Sequence, residues 1–407
     1  MATPIAKIEF GFDLTDSPIS PFFTLDDSVK GRLDNVNYRL GGNAFIDVTD
    51  RVRDFQISRG RPSLFTRYPA GNLQVSLNNH DRAFDPLYED SPFRGNILPE
   101  REVRISSNGI IIFRGYIDDW NLSYLSNGDS VVEIAATDAI AKFNNMYLAE
   151  QTPPEEPAGD RINRILDTDA VQWPSGLREI DSDGQLMAAN TIGEGKSALQ
   201  YMQNIALSEP GDFFITRDGK VRFTNRRNAP VSSEMVKFGG GDVPFNDLAV
   251  VYGAELLFNE VRLTREGGGT AVAFDSASID EYGVRTLELQ EMQLATDEAM
   301  AEIAVQYTAQ YSEPEYRFEQ FSVYLHKLDS AIQDELLALD IGSIVQVTFT
   351  PNNIGDPIVR QAKVLRVEHL VNVDLHTMVL GLEQLYYAPL VLDDETFGRL
   401  DVGTLSW

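Results

Sequence analysis

The chain has 407 residues, of which 62 are acidic and 34 basic, so its net charge is −28. A surface this acidic repels phosphate backbones, which excludes nucleic-acid recognition through a basic face. The absence of cysteine excludes disulfides, thiolate catalysis and cysteine-based metal sites. Hydrophobic residues make up 43% of the chain, which is enough to build cores and excludes global disorder.

The N-terminal segment has no targeting pattern. It contains Asp13 and Asp16 and lacks a basic stretch followed by an apolar one, so we do not expect a signal peptide. No run of 18 apolar residues occurs, so the sequence predicts no membrane-spanning segment and synthesis in a cytoplasm. Residues 1–45 show no long period and predict an extension that packs on something else.

Residues 46–148 predict a first β-domain. Leu73, Val75 and Leu77 alternate with polar residues, and several similar short runs follow. The runs are separated by hairpin signals such as Asn108-Gly109. This pattern favours an antiparallel barrel or sandwich.

Residues 149–235 predict a small α+β unit. Thr152–Pro157 is rich in proline, which indicates a linker because proline cannot join a strand ladder. Asp160 precedes an apolar helical pattern and is a good N-cap candidate. A second helix is predicted over 198–208, and a tight hairpin over 213–223.

Residues 236–390 predict a second β-domain whose strand succession resembles the first. A helix at about 297–311 interrupts the strands. The last two strands are joined by a turn at Asn372–Asp374. Residues 391–407 form an acidic tail.

One segment resembles a phosphate-binding loop. Gly193–Ser197 precedes a helix, but a full P-loop needs a glycine where this chain has Asn190. A plain helix start is the favoured interpretation. The four histidines are not spaced for zinc, although two of them flank one hairpin and predict a structural pair; they are His80, His326, His369 and His376.

Three acidic groups are candidates for chemical sites. Asp118-Asp119 and Asp393–Glu395 resemble paired glycosidase carboxylates, yet chance adjacency is expected among 62 acidic residues. Asp181–Gly184 lacks the glycine and the glutamate of a calcium loop. The sequence therefore predicts no enzyme activity, no catalytic, cofactor-binding or metal site, and no cofactor.

Several strings, taken in order, resemble one family: the tail-hub, or baseplate-hub, minor tail proteins of long-tailed actinobacteriophages. The resemblance covers about 45–407. It is carried by Asp47–Val52, Ser58–Arg61, Ala70–Asn79, Arg82–Pro86, Phe113–Ile117, Phe213–Phe223, Phe258–Val261 and the Leu392–Trp407 ending.

The resemblance implies a mainly β fold with an α+β insert, in which two tail-tube-like β-barrels form a baseplate-hub-like architecture. It further implies a homotrimer at the tail tip of the virion, whose six barrels sit under a sixfold tube and surround the DNA exit channel. Its partners would be the distal tail protein ring, the tape measure protein and other tail-tip proteins. Genomic DNA would pass without sequence-specific binding.

Two other functions remain open at the level of sequence. A distal tail protein would form a hexameric ring instead of a trimer. A host-glycan adhesin or hydrolase is suggested by aromatic residues that could be exposed, namely Trp120, Trp173 and Tyr386-Tyr387.

The charge is unevenly distributed along the chain. Residues 236–407 carry 28 acidic and 10 basic side chains, a net charge of −18, whereas residues 1–235 carry a net charge of −10. If the acidic residues repel DNA from a channel, the second barrel is the expected acidic wall. A plain acidic outer surface is the alternative.

Overall fold

The computed structural model describes residues 3–12, 44–225 and 235–385. Seven strands form the first barrel: β1 (Ala6–Phe12), β2 (Ala44–Asp47), β3 (Val52–Gly60), β4 (Asn72–Asn78), β5 (Glu102–Ser107), β6 (Ile110–Tyr124) and β7 (Ser130–Thr137). Leu73, Val75 and Leu77 are buried on one face of β4, as their alternation predicts. At the β5–β6 turn, Asn108 and Gly109 both have positive φ angles, 49° and 80°, which a tight primed turn requires.

Strand β1 differs from the expectation for residues 1–45. It lies between β5 and β2 in the barrel, and Ile8, Phe10 and Phe12 are fully buried. These three residues alternate with polar or small ones, so a short strand signal was present within a segment that has no long period. Residues 13–43 lie outside the described residues.

The first insert, residues 139–225, follows β7. It contains α1 (Ala139–Asn144), β8 (Tyr147–Leu148), β9 (Glu156–Pro157), α2 (Ala158–Leu166), β10 (Arg178–Ile180), β11 (Leu186–Met187), β12 (Lys196–Ser197), α3 (Ala198–Ser208), β13 (Asp212–Ile215) and β14 (Val221–Thr224). Helix α3 has the predicted bounds, and the hairpin β13–β14 confirms the predicted turn. Helix α2 begins at Ala158, so Asp160 lies in its first turn and is not the N-cap; Pro157 occupies that position because β9 continues directly into the helix.

The proline-rich segment Thr152–Pro157 is not a free linker. Glu156 pairs with Met187 in the β9–β11 ladder, and its carboxylate accepts hydrogen bonds from Arg161 and Arg164 at 2.7 Å each. The fully buried Arg161 also donates to the carbonyl of Pro154 at 2.6 Å. Prolines prevent a long ladder here, but their carbonyl groups still accept hydrogen bonds, so side chains can fix the segment.

The second barrel is interrupted by a second insert, residues 253–315. The order of elements is β15 (Val236–Phe238), β16 (Asn246–Tyr252), β17 (Glu260–Arg265), β18 (Thr270–Phe274), α4 (Ser276–Tyr282), β19 (Thr286–Met292), α5 (Asp297–Tyr311), β20 (Tyr316–Tyr324), α6 (Ser330–Leu337), β21 (Ile344–Phe349), β22 (Ile358–Asn372) and β23 (His376–Gln384). Helix α5 has the predicted bounds. Strands β17, β18 and β19 form a separate three-stranded sheet.

The buried hydrophobic residues of the described ranges form two separate cores. The first core joins the two barrels and includes Phe113 and Phe321. The second core is shared by the two inserts; Met202 and Phe223 of the first insert belong to the same cluster as Met300 of α5. Strands β17–β19 and helix α5 therefore pack with the first insert, although their position in the sequence lies within the predicted second β-domain.

The two barrels have the same strand order. The first runs β3-β4-β7-β6-β5-β1 and the second runs β16-β20-β23-β22-β21-β15, so each of these six strands has a counterpart in the same chain order, whereas β2 has none among the described strands. The two barrels differ in the direction of their last strand: β1 is antiparallel to β5, whereas β15 is parallel to β21. The resemblance of strand succession seen in the sequence is thus a duplication of topology.

A strand junction joins the barrels into one sheet. Residues Arg366–Asn372 of β22 pair antiparallel with Gly60–Asp54 of β3. Gly60 has a φ of +111°, and a Cβ atom there would lie 2.1 Å from the carbonyl oxygen of Leu365, so glycine is required at this approach. The prediction of a mainly β fold with an α+β insert and two related barrels is confirmed. Within the described residues, no helix is both long and apolar enough to cross a membrane.

Candidate functional site: the polar face of the continuous sheet

Eight consecutive strands of the sheet, from β16 through the junction to β6, share one polar face. Phe55 and Ile57 of β3 point into the core, and the alternating residues Gln56 and Ser58 lie on the opposite face. This polarity continues across neighbouring strands, where Gln56 lies opposite Gln74. The face therefore combines amide and hydroxyl groups over both barrels.

Charged residues of both signs lie on the polar face. Strand alternation and contacts place acidic residues of both barrels there, among them Asp54, Asp118, Asp119 and Glu133 of the first and Asp247, Glu319 and Glu368 of the second. Arg366 adds a positive charge and donates to Gln320 at 2.7 Å, and Arg317 lines the same cavity as these two residues. The acidic residues of this face therefore come from both barrels.

The excess acid of residues 236–407 is concentrated in the second insert. Residues 253–315 contain 13 acidic side chains and only three arginines. This segment forms its own sheet, which is not hydrogen-bonded to the eight strands of the polar face. Net charge along the chain does not distinguish a barrel strand from an insert between barrel strands, so the sequence assigns this acid only to residues 236–407 as a whole.

Asp118 and Asp119, considered as paired catalytic acids, lie where β6 bulges against β7. The Asp118 carboxylate accepts a hydrogen bond from the hydroxyl of Thr137 at 3.2 Å, and burial raises the pKa of this carboxyl. Asp118 and Thr137 help line a shallow depression of about 390 Å³ on the polar face, together with Gln56 and Gln74. Asp393–Glu395 lie outside the described residues.

A buried ionic cluster joins both barrels and the first insert. Asp212 of β13 lies 3.0 Å from Lys363 of β22 and 3.2 Å from Arg61, and Lys363 lies 3.0 Å from Glu383 of β23. Tyr68 donates its hydroxyl to Asp212 at 3.1 Å. Although burial opposes ionisation, the positive charges of Lys363 and Arg61 hold the pKa of Asp212 below its usual value.

A second buried ion pair anchors the β13–β14 hairpin between the barrels. Arg59 of β3 lies 2.5 Å from Asp340, and it also donates to the carbonyl of Ile215 at 3.1 Å. Asp340 in turn accepts a hydrogen bond from the backbone N–H of Arg217 at 2.8 Å. Sequence reasoning missed these residues, although Arg59 continues the inward alternation of Phe55 and Ile57 and could have indicated a buried charge.

The predicted histidine pair is confirmed. The Nδ1 atom of His369 lies 3.0 Å from the Nε2 atom of His376 across the β22–β23 hairpin. Burial lowers the pKa of both rings, that of His376 to about 4. Of the other two, His326 lies 3.4 Å from the backbone N–H of His376, and His80 lies 3.2 Å from Asp129.

The residues of the candidate phosphate loop and of the candidate calcium loop contact other side chains or the backbone of this protein. In the Gly193–Ser197 loop, Lys196 lies 3.4 Å from Glu291, and Ser197 accepts a hydrogen bond from the backbone of Gln200 at the start of α3. Asp181 and Asp183 both accept hydrogen bonds from Asn225. Within the described ranges, no group of three or more histidine or acidic side chains could hold a metal ion.

The aromatic residues considered for glycan binding pack inside the protein. Trp173 is 8% exposed and stacks edge-on against Phe143 at a ring distance of 4.8 Å. Trp120 is half-buried next to Phe10 and Phe84, and donates its indole N–H to the carbonyl of Leu98 at 3.0 Å. Tyr386-Tyr387 lie outside the described residues.

No protein-family model matches the sequence, and no curated protein matches it. Solved structures, however, resemble this chain over most of its length. A tail protein from Neisseria meningitidis MC58 has a TM-score of 0.60 at 13% identity, covering 94% of this chain and 97% of its own. The prophage MuSo2 43 kDa tail protein from Shewanella oneidensis has a TM-score of 0.53 at 14% identity, covering 84% and 94%.

The repeated barrels and the inserts therefore define a fold that this chain shares with phage tail proteins. At 13–14% identity, the similarity concerns the fold and not particular residues. A shared fold does not assign a role to the polar face.

Proposed function

We propose that the chain is a non-enzymatic structural protein of a phage tail, and that three copies form the hub at the tail tip. The observation that carries the proposal is the repeated strand order of the two barrels, together with the strand junction that joins them in one chain. The likeness of the fold to solved tail proteins supports the assignment to a tail.

The β22–β3 junction within the chain shows how a similar junction could form between two chains. Strand β22 pairs with β21 along its first part and with β3 along its second part, while β23 occupies its other side. Its counterpart β6 also has 15 residues. Both strands carry a one-residue bulge at the same place, between Val364 and Arg366 in β22 and between Ile117 and Asp119 in β6.

Strand β6 has a free edge where β22 binds β3. Tyr116 pairs with β5, but residues 119–124 pair only with β7 within the described part of the chain. Strand β16, the counterpart of β3, pairs there only with β20. Within one chain, β22 pairs with β3. By the same arrangement, the free edge of β6 in one copy can pair with the free edge of β16 in the next copy.

This pairing is head-to-tail, so it must either close into a ring or continue as a filament. Three copies contribute six barrels, which match a sixfold tube, and eight strands from each of three chains form a ring of 24 strands. A hexameric distal tail ring would contain twelve barrels of this kind. The duplication within one chain therefore favours a trimer.

In such a ring, the polar face lines the channel. Its amide and hydroxyl groups can be hydrated without binding phosphates, and its acidic residues repel a passing DNA backbone. The proposed neighbours are the distal tail protein ring, the tape measure protein and other tail-tip proteins. The proposed location is the tail tip of the virion, after assembly in the host cytoplasm.

Cysteine crosslinking tests the ring, because the natural chain has no cysteine. Leu370 lies opposite Gln56 at the β22–β3 junction, and the repeat places Ser123 and Ala249 at the equivalent positions. The double variant Ser123→Cys/Ala249→Cys should form disulfides between chains on mild oxidation of concentrated protein. A matched control, Ser123→Cys/Val250→Cys, should not, because Val250 packs toward the core.

On a non-reducing gel, the crosslinked ladder should end at three chains. A ladder that ends at six chains would instead support the distal tail ring. Equal crosslinking in the control, or no crosslinking in either protein, would refute the β6–β16 pairing. Native mass measurement of the same samples gives the number of chains, and titration of free thiols separates a closed covalent trimer, which has none, from an open one, which keeps two.

A further inference from the structure

Strand β18 is an exposed edge of the three-stranded sheet in the second insert. Within the described residues it pairs with β17 alone. Its side chains alternate, with Ala271 and Ala273 facing the second core and Val272 and Phe274 facing solvent at 50% and 65% exposure. The strand has no proline, no lysine and no bulge against β17, the features that usually protect an edge.

The hydrogen bonds at the ends of the β17–β18 hairpin fix its ladder. The backbone N–H of Arg265 donates to the carbonyl of Gly269 at 3.1 Å, and that of Asp275 donates to the carbonyl of Asn259 at 2.9 Å. Bonded and non-bonded pairs alternate in an antiparallel ladder. These two pairs therefore determine which residues between them bond to β17.

By this alternation, Ala271 and Ala273 exchange hydrogen bonds with β17. Thr270, Val272 and Phe274 belong to the non-bonded pairs, so their N–H and C=O groups point away from β17, toward the free edge. Backbone groups and exposed apolar side chains of the same residues are thus presented together. This is the arrangement that binds an extended peptide as an additional strand.

The surroundings of β18 are strongly acidic. Two of the three arginines in residues 253–315 already contact acidic groups, Arg262 with Glu260 at 2.8 Å and Arg265 with Asp297 at 2.7 Å. Acidic side chains follow β18 in the chain or lie exposed on α5, which packs against it: Asp275, Asp280, Glu281, Glu298 and Glu302. A second copy of this strand would bring the same negative charge, which disfavours self-pairing.

We infer that the free edge of β18 binds an extended segment of a partner protein in which apolar residues alternate with lysine or arginine. The segment adds a fourth strand to the sheet. Its backbone bonds to Val272 and Phe274, its apolar side chains cover those of the same two residues, and its cations face the acidic surroundings. This inference concerns a single chain and holds whether or not the proposed ring forms.

The test uses a capped peptide that alternates lysine with valine, and a second peptide in which glutamate replaces lysine. Hydrogen exchange of the intact protein is measured with each peptide. The basic peptide should slow exchange at Val272 and Phe274 several-fold, and the acidic peptide should not. No slowing by the basic peptide, or equal slowing by both, would overturn the inference.

Val272→Pro provides the decisive variant. It removes an N–H group that points away from β17, so the ladder loses no hydrogen bond and edge strands tolerate proline at such positions. The variant should lose peptide binding, while Val272→Thr, which keeps the N–H group, should retain it. Phe274→Lys, which needs no backbone change, should also weaken binding of the basic peptide. Undiminished binding by Val272→Pro and Phe274→Lys would overturn the inference.

Discussion

Lowering the pH from 7 to 4 should weaken the first core through His376. The folded protein keeps this ring neutral, because burial lowers its pKa from 6.5 to about 4. Between these values the unfolded chain binds a proton that the folded chain does not, so stability is present above pH 6.5 and is lost as the pH falls. At 1.36 kcal/mol per pKa unit, His376 alone contributes a loss of about 3 kcal/mol by pH 4.

Urea unfolding of the natural protein and of His376→Gln across this pH range measures the loss. The difference in unfolding free energy between the two proteins should shrink by about 3 kcal/mol between pH 7 and pH 4. Asp138, whose pKa burial raises to about 7, acts in the opposite direction, but both proteins contain it and its contribution cancels. Leu375→Gln, in the same hairpin, should shift stability equally at every pH. A constant difference for His376→Gln would refute the reasoning.

Two further substitutions test the contacts between the barrels. Gly60→Ala should destabilise the protein by at least about 2 kcal/mol in urea unfolding, because its Cβ would lie 2.1 Å from the carbonyl oxygen of Leu365 at a positive φ. Gly95→Ala, also at positive φ but in open space, is the control and should cost less. Asp212→Asn should cost about 3–5 kcal/mol, because it removes one of the two carboxylates that neutralise the buried cations of Lys363 and Arg61. Adding Lys363→Met should recover part of this loss, and a purely additive double variant would contradict the coupling.

Sequence patterns located the elements whose structure is determined locally. Helix α3 has the predicted bounds because an apolar stripe follows a capping serine, and α5 has them because its stripe follows Thr296, which caps it. The turn at Asn108-Gly109 was predictable for the same reason, since its positive φ angles require those residue types.

Patterns of this kind identify strands but not their neighbours. The alternation in β17 and β18 is equally compatible with a barrel strand and with the separate sheet in which they lie. The polar face could not be predicted for the same reason. In the sequence, Gln56 and Gln74 are ordinary polar residues, and only the strand register shows that they lie side by side. Long-range pairing is decided by packing of the whole chain, which a local period does not encode.

The acidic residues of the second insert lie outside the sheet that carries the polar face, and this matters for the proposed channel. Attraction or repulsion between exposed charges extends only about 8 Å at physiological salt. The 13 acidic residues of the second insert can therefore act on DNA only if that insert borders the channel, whereas they can attract a basic partner segment at β18 wherever it lies. Electrostatic repulsion in the channel must then come from the acidic residues of the polar face. Asp54 and Glu133 lie on first-barrel strands of that face, so neutralising them should affect DNA passage more than neutralising acids of the insert.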